Sequence, residues 1–169
     1  DPSRRYPVYQ FTYAGPHAQQ VVNGWGGTDF MYHQLLAQHG IIVWIVDNRT
    51  ASGKGMQSAW PLYRNFGALE LRDIEDGVAW LKAQPYVDGS RLSLYGVSLG
   101  GNLVAYLISK VPTIHAAILG APAPIWFLGI EMPAGGGRPD LSTVKPDAAI
   151  AQANIAPIRT PVLILAGTE

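Results

Sequence analysis

The chain has 169 residues, enough for one domain with a real core, and nothing in it marks a second domain or an internal repeat. Apolar residues make up 48%, charged residues only 14%, and the formal net charge is zero, which argues against nucleic acid or an anionic membrane surface as the principal partner. No apolar run approaches a membrane span and the first residues do not read as a signal peptide. The absence of cysteine removes disulfides and thiolate metal sites.

Taken in order, residues 1–5 read as a linker and Val8–Tyr13 alternates like a strand, broken by Tyr13-Ala14-Gly15-Pro16. Residues 21–28, with Gly24, Gly26 and Gly27, read as an irregular loop. Asp29 is placed to cap a helix over Phe30–His39 that Gly40 closes. Ile41–Val46 is apolar without alternation, the look of a strand covered on both faces. Asp47-Asn48-Arg49 ends it, and a Gly/Ser-rich loop runs on to about Phe66.

Residues 68–83 form the clearest helix. Leu69, Ile74, Val78 and Leu81 approximate one apolar stripe, and Glu70, Arg72, Asp73, Glu75 and Asp76 read as its solvated face. Residues 85–90 turn the chain into a strand centred on Leu92–Tyr95, and a helix follows over Leu99–Lys110. Ala116–Ala121 is a further small apolar strand. Residues 122–145 are a Pro/Gly-rich loop or lid, residues 147–154 a short helix, and Val162–Ala166 a last buried strand. Strands alternating with helices predict an α/β fold with a largely parallel sheet.

Between the central strand and its helix stands Gly96-Val97-Ser98-Leu99-Gly100-Gly101. Strand, Gly-x-Ser-x-Gly, helix is the layout of a nucleophile elbow. The flanking glycines leave room for a sharp, strained turn that lifts the Ser98 hydroxyl to a helix N-terminus, where developing negative charge is favoured. The same serine would also serve as an ordinary helix N-cap. A hydroxyl attacks a carbonyl only when a base takes its proton and donors receive the oxyanion. The Leu99 backbone N–H is one such donor by position. A second is expected from the loop after an earlier strand, where Tyr13–Pro16 lies.

Five segments occur in one order: Tyr13-Ala14-Gly15-Pro16-His17, Asp47-Asn48-Arg49, Phe66-Gly67 with its acidic helix, Tyr86-Val87-Asp88, and Gly96–Gly101. Together they resemble the catalytic domain of the prolyl oligopeptidase family of serine peptidases, most nearly its dipeptidyl peptidase IV branch. The resemblance covers most of residues 6–121 and resumes at 161–168. It implies an α/β-hydrolase fold with helices on both faces of the sheet and a peptide as substrate, joined in the whole protein to an N-terminal β-propeller. It implies Ser98 as nucleophile, with the Tyr13 hydroxyl and the Leu99 N–H as oxyanion donors. The family's aromatic pair around the serine is replaced by Val97 and Leu99, and its tyrosine-rich pocket segment by Trp126–Pro133 and a glycine run. Trp126 and Phe127 are therefore the candidate substrate-binding residues.

Hydrolase chain order places the acid and then the histidine after the serine. The family's usual Gly-Thr-x-Asp reaches only Gly167-Thr168-Glu169 here. On this reading residues 1–169 are a partial hydrolase domain ending before its acid and base, and inactive alone. His39 and His115 are expected at the opposite edge of the sheet from Ser98, because the helix Leu99–Lys110 carries the chain about 18 Å away. His33 falls within a helix and His17 in the loop after Tyr13. No metal or other cofactor is expected, since no histidine pair joins carboxylates at ligand spacing. Two other readings stay open: an esterase or thioesterase, favoured by Val97 and Leu99, and a hydrolase-like binding domain without catalysis.

Overall fold

The computed structural model describes residues 3–13, 18–62, 67–122, 127–129 and 145–167. Its strands are β1 (Tyr6–Thr12), β2 (Ile42–Ile45), β3 (Val87–Val97), β4 (Ala116–Gly120) and β5 (Val162–Leu165). Its α-helices are α1 (Gly27–Gln38), α2 (Met56–Ala59), α3 (Ala68–Lys82), α4 (Leu99–Lys110) and α5 (Ala148–Ile155), with a 3₁₀ turn at Trp60–Leu62. At least one helix separates each strand from the next, the crossover that parallel pairing requires. All four strand pairs are parallel and the sheet order is β2-β1-β3-β4-β5. The chain steps from β1 to β2 on one side, then crosses back to lay β3 on the other. The carboxyl ends of β1 and β3 therefore flank the point where the winding reverses, the place where open α/β sheets bind ligands.

The pleat gives the sheet two faces. Val8, Gln10 and Thr12 pair in register with Leu92, Leu94 and Gly96 on one, while Tyr9, Phe11, Ser93 and Tyr95 occupy the other. Helices α3 and α4 pack the first face: Leu71, Ile74, Val78, Leu81, Leu103, Leu107 and Ile108 join Val8, Leu92 and Leu94 in one core. Helix α1 lies over the second face and packs against β2 as well as β1, with the His33 ring 6.0 Å from Tyr9 and 5.8 Å from Phe11.

Several expectations need revision. Leu71, not Leu69, completes the buried stripe of α3. Helix α1 starts at Gly27 with Gly26 as N-cap, so Asp29 sits in its first turn as a favourable charge rather than a cap. The Gly/Ser-rich stretch after Arg49 contains α2 and the 3₁₀ turn. β3 begins at Val87, and the expected turn is an irregularity inside it: Tyr6 pairs with Val87 but Val8 with Leu92. β2 is half-buried rather than covered on both faces. β5 is exposed along its whole length: it is an outer strand of the sheet and, among the described residues, packs chiefly against β4. No helix of the described residues is long and apolar enough to cross a membrane.

Candidate active site

The chain leaves β3 at Val97 and enters α4 at Leu99, so a single residue must make the turn. Ser98 makes it with φ 54° and ψ −118°, a conformation that costs a non-glycine residue on the order of 1–3 kcal/mol. Its surroundings hold it there. The Ser98 N–H donates to the Gly120 carbonyl at 2.8 Å, and the Ser98 carbonyl accepts from the Gly101 N–H at 3.1 Å. The glycines are required by close approach. A Cβ on Gly96 would lie 2.2 Å from the Gly100 carbonyl oxygen, and one on Gly100 would lie 2.1 Å from the Thr12 carbonyl oxygen. Ser98 is half-buried, and the Leu99 N–H heads α4, where helix geometry leaves the first amides without intrahelical acceptors.

Tyr13 follows β1 directly and is half-buried. A Cβ on Gly100 would stand 3.0 Å from the Tyr13 Cα, so the backbone that carries this phenol abuts the elbow. The register agrees: Thr12 pairs with Gly96, two residues before Ser98. Tyr13, Ser98 and Leu99 are thus gathered at the carboxyl ends of neighbouring strands. Phe127 stands apart from them. It is 5% exposed, packs edge-on to Tyr106 at 5.0 Å and belongs to the core. Its carbonyl accepts from the Asn154 side chain at 2.7 Å, so its role here is packing. Trp126, His17 and Glu169 lie outside the described residues.

None of the described histidines is placed beside Ser98. His39 caps the C-terminus of α1, just ahead of β2. The His115 N–H donates to the Leu92 carbonyl at the amino end of β4, the opposite end of the strands from the elbow. His33 lies in the aromatic cluster beneath α1, where burial lowers its pKa below the ordinary 6.5 and Asp29 partly offsets the shift. Among the described residues no group of His, Cys, Asp and Glu is placed to hold a metal ion.

Beyond β1, the end of β2 carries a charged hub whose residues read in the sequence as a loop and a solvated helix face. Asp73 of α3 accepts from the Arg49 backbone N–H at 2.8 Å and from Arg49 Nε at 2.9 Å. Burial works to raise the Asp73 carboxyl, but these bonds outweigh it and hold the group below its ordinary 3.8. Lys54 Nζ donates to the carbonyls of Asp47 and Asn48 at 2.7 and 2.8 Å. Glu70 is fully buried and accepts from the Gly67 N–H at 3.0 Å. The signal for Glu70 was its place three residues after a helix-opening glycine, half of a capping box. Asp73 gave no such local sign.

A parallel sheet with a strained serine between strand and helix at its winding reversal defines an α/β-hydrolase domain. The comparisons agree. The structure of Porphyromonas gingivalis dipeptidyl peptidase 4 superposes with a TM-score of 0.78 at 26% identity, over 97% of this chain and 23% of that one. In sequence, mouse dipeptidyl peptidase 8 is 31% identical over 75% of this chain and 14% of its own length. A venom dipeptidyl peptidase 4 from Vespa velutina is 27% identical over 75% of this chain and 16% of its own. Residues 28–126, more than half of the chain, match the prolyl oligopeptidase family. The chain belongs to that family, and it spans only about a seventh of the length of these curated relatives.

Proposed function

We propose that this domain is the catalytic part of a serine peptidase of dipeptidyl peptidase or oligopeptidase type, carried in the whole protein beside an N-terminal β-propeller. The observation that carries the reading is Ser98: a half-buried hydroxyl in a strained turn, at a helix N-terminus, where the winding of the sheet reverses. Its Oγ attacks the scissile carbonyl while a base accepts the hydroxyl proton. The tetrahedral oxyanion is received by the Leu99 N–H and the Tyr13 hydroxyl. Collapse expels the amine, which takes up a proton, and leaves an acyl group on Ser98 Oγ; water then attacks the ester and regenerates the serine. The base and its acid partner come from outside the described residues, since His33, His39 and His115 are committed elsewhere.

The test is turnover by the full-length protein of dipeptidyl 4-nitroanilides, with proline or alanine before the scissile bond, set beside 4-nitrophenyl acetate. Anilide turnover that disappears in Ser98→Ala is the expected result. Ester turnover without anilide turnover would favour the esterase reading, for which Val97 and Leu99 speak. A protein that neither turns over nor reacts with a fluorophosphonate is a binding domain.

A further inference from the structure

Among the described residues two non-glycines have a positive φ, Ser98 at 54° and Ala121 at 41°. Ser98 is the elbow. Ala121 breaks two preferences at once: its Cβ disfavours that region, and the proline after it pushes it toward extended backbone. A conformation of this kind persists only where the neighbouring structure enforces it, and such residues gather at active sites.

The neighbours show what the corner does. β4 keeps its ladder up to this point: the Gly120 carbonyl accepts from the Ser98 N–H at 2.8 Å, and the Ala121 N–H donates to the Leu165 carbonyl at 2.6 Å. The chain then turns off the sheet toward α4. A Cβ on Gly101 would lie 3.1 Å from Pro122 Cβ and 3.2 Å from Pro122 Cα, so Pro122 rests against the first turn of that helix. Gly101 in turn donates its N–H to the Ser98 carbonyl at 3.1 Å. Ser98 is thus held on both sides of its own backbone, at its N–H by Gly120 and at its carbonyl by the helical turn that Pro122 abuts. Ala121 joins the two holds. It is itself exposed and outside the core, so packing of its methyl does not account for the strain. We propose that the Ala121-Pro122 corner positions the nucleophile: its positive φ sends Gly120 to one side of Ser98 and Pro122 to the other, which fixes the angle at which Oγ and the Leu99 N–H face the substrate carbonyl. The inference rests on Ser98 being the nucleophile, and Ala121 acts through it as a positioning residue.

The experiment compares Ala121→Val, Ala121→Gly and Pro122→Gly in the full-length protein. The readouts are kcat and KM for a dipeptidyl 4-nitroanilide, the rate of fluorophosphonate labelling at Ser98, and the melting temperature. A β-branched residue resists a positive φ, whereas glycine adopts it freely. Ala121→Val should therefore lower kcat and the labelling rate by about 10–100-fold with little change in KM, the scale of a misplaced reacting group. Ala121→Gly should keep both near wild type, and Pro122→Gly, which removes the contact on Gly101, should fall between them. With assays run well below each melting temperature, a merely structural corner would lower the melting temperature and leave kcat alone, and that result overturns the inference. So does a rise in KM at unchanged kcat, the mark of a blocked pocket, or a loss in Ala121→Gly as large as in Ala121→Val. If Ala121→Val fails to fold, Pro122→Gly decides on the same criterion. A wild type that does not label at Ser98 overturns the nucleophile reading and this inference together.

Discussion

The two faces of the sheet are built on different terms. Beneath α3 and α4 a closed aliphatic core, with Leu92 and Leu107 0% exposed and Leu81 and Ile108 1%, also encloses the polar side chains of Gln10, Glu70 and Asn102. Beneath α1 the side chains are rings and titratable groups, Tyr9, Phe11, His33 and Tyr95, and β5 is left open on both faces, with Leu163 54% and Ile164 60% exposed. The glycines of the elbow, Gly96 and Gly100, lie on the side of the dense face, and the helix that Ser98 opens is its centrepiece. A strained residue persists only where its surroundings over-determine it. The packed face supplies that constraint, while the aromatic face carries the half-buried His33.

The largest effect should come from contrasting the packed face with the open strand β5. Leu107→Ala, which empties a fully buried site, is expected to destabilise by about 2–5 kcal/mol in denaturant unfolding, whereas Leu165→Ala should stay within about 0.5 kcal/mol. A cost at Leu165 equal to that at Leu107 would mean that other parts of the full-length protein bury β5. Next comes the join between core and elbow. Gly100→Ala drives a methyl into the Thr12 carbonyl, and should cost about 1–3 kcal/mol while slowing fluorophosphonate labelling far more than it lowers stability. A labelling rate equal to wild type would separate the elbow from the packing around it.

The smallest effect belongs to His33. Its folded pKa lies below the ordinary 6.5 through burial, so between those two values the unfolded chain binds the extra proton. Stability is therefore full above about 6.5 and declines as pH falls from there toward the lower folded value. Thermal melts between pH 7.5 and 5.5 should show wild type losing more than His33→Gln over that window. Equal losses would remove His33 from the acid response.

Much of this was open to reading from the residues. Helix α4 has the boundaries its sequence predicts, Leu99–Lys110, because the turn at Ser98 and Pro112 bracket an apolar run. The elbow was legible because its glycines are a local steric requirement. Residues whose meaning depends on a distant partner were not. Asp47 looks like a strand terminator until Gln20 and Val21 are seen against it, and Asp73 looks like one more charge on a wet helix until Arg49 arrives. β5 has the composition of a buried strand, but exposure is set by neighbours, and among the described residues its chief neighbour is β4. Phe127 is a pocket candidate only through the segment that the resemblance aligns with it, and it packs in the core beside Tyr106.

The central claim is that the strained turn points Ser98 at a carbonyl whose oxygen falls between Leu99 and Tyr13. A crystal structure of the full-length protein inactivated by a fluorophosphonate tests it most directly. Phosphorus should be bonded to Ser98 Oγ, with the phosphoryl oxygen about 2.7–3.1 Å from both the Leu99 nitrogen and the Tyr13 hydroxyl. An adduct on another residue, or a phosphoryl oxygen turned away from both donors, would contradict it.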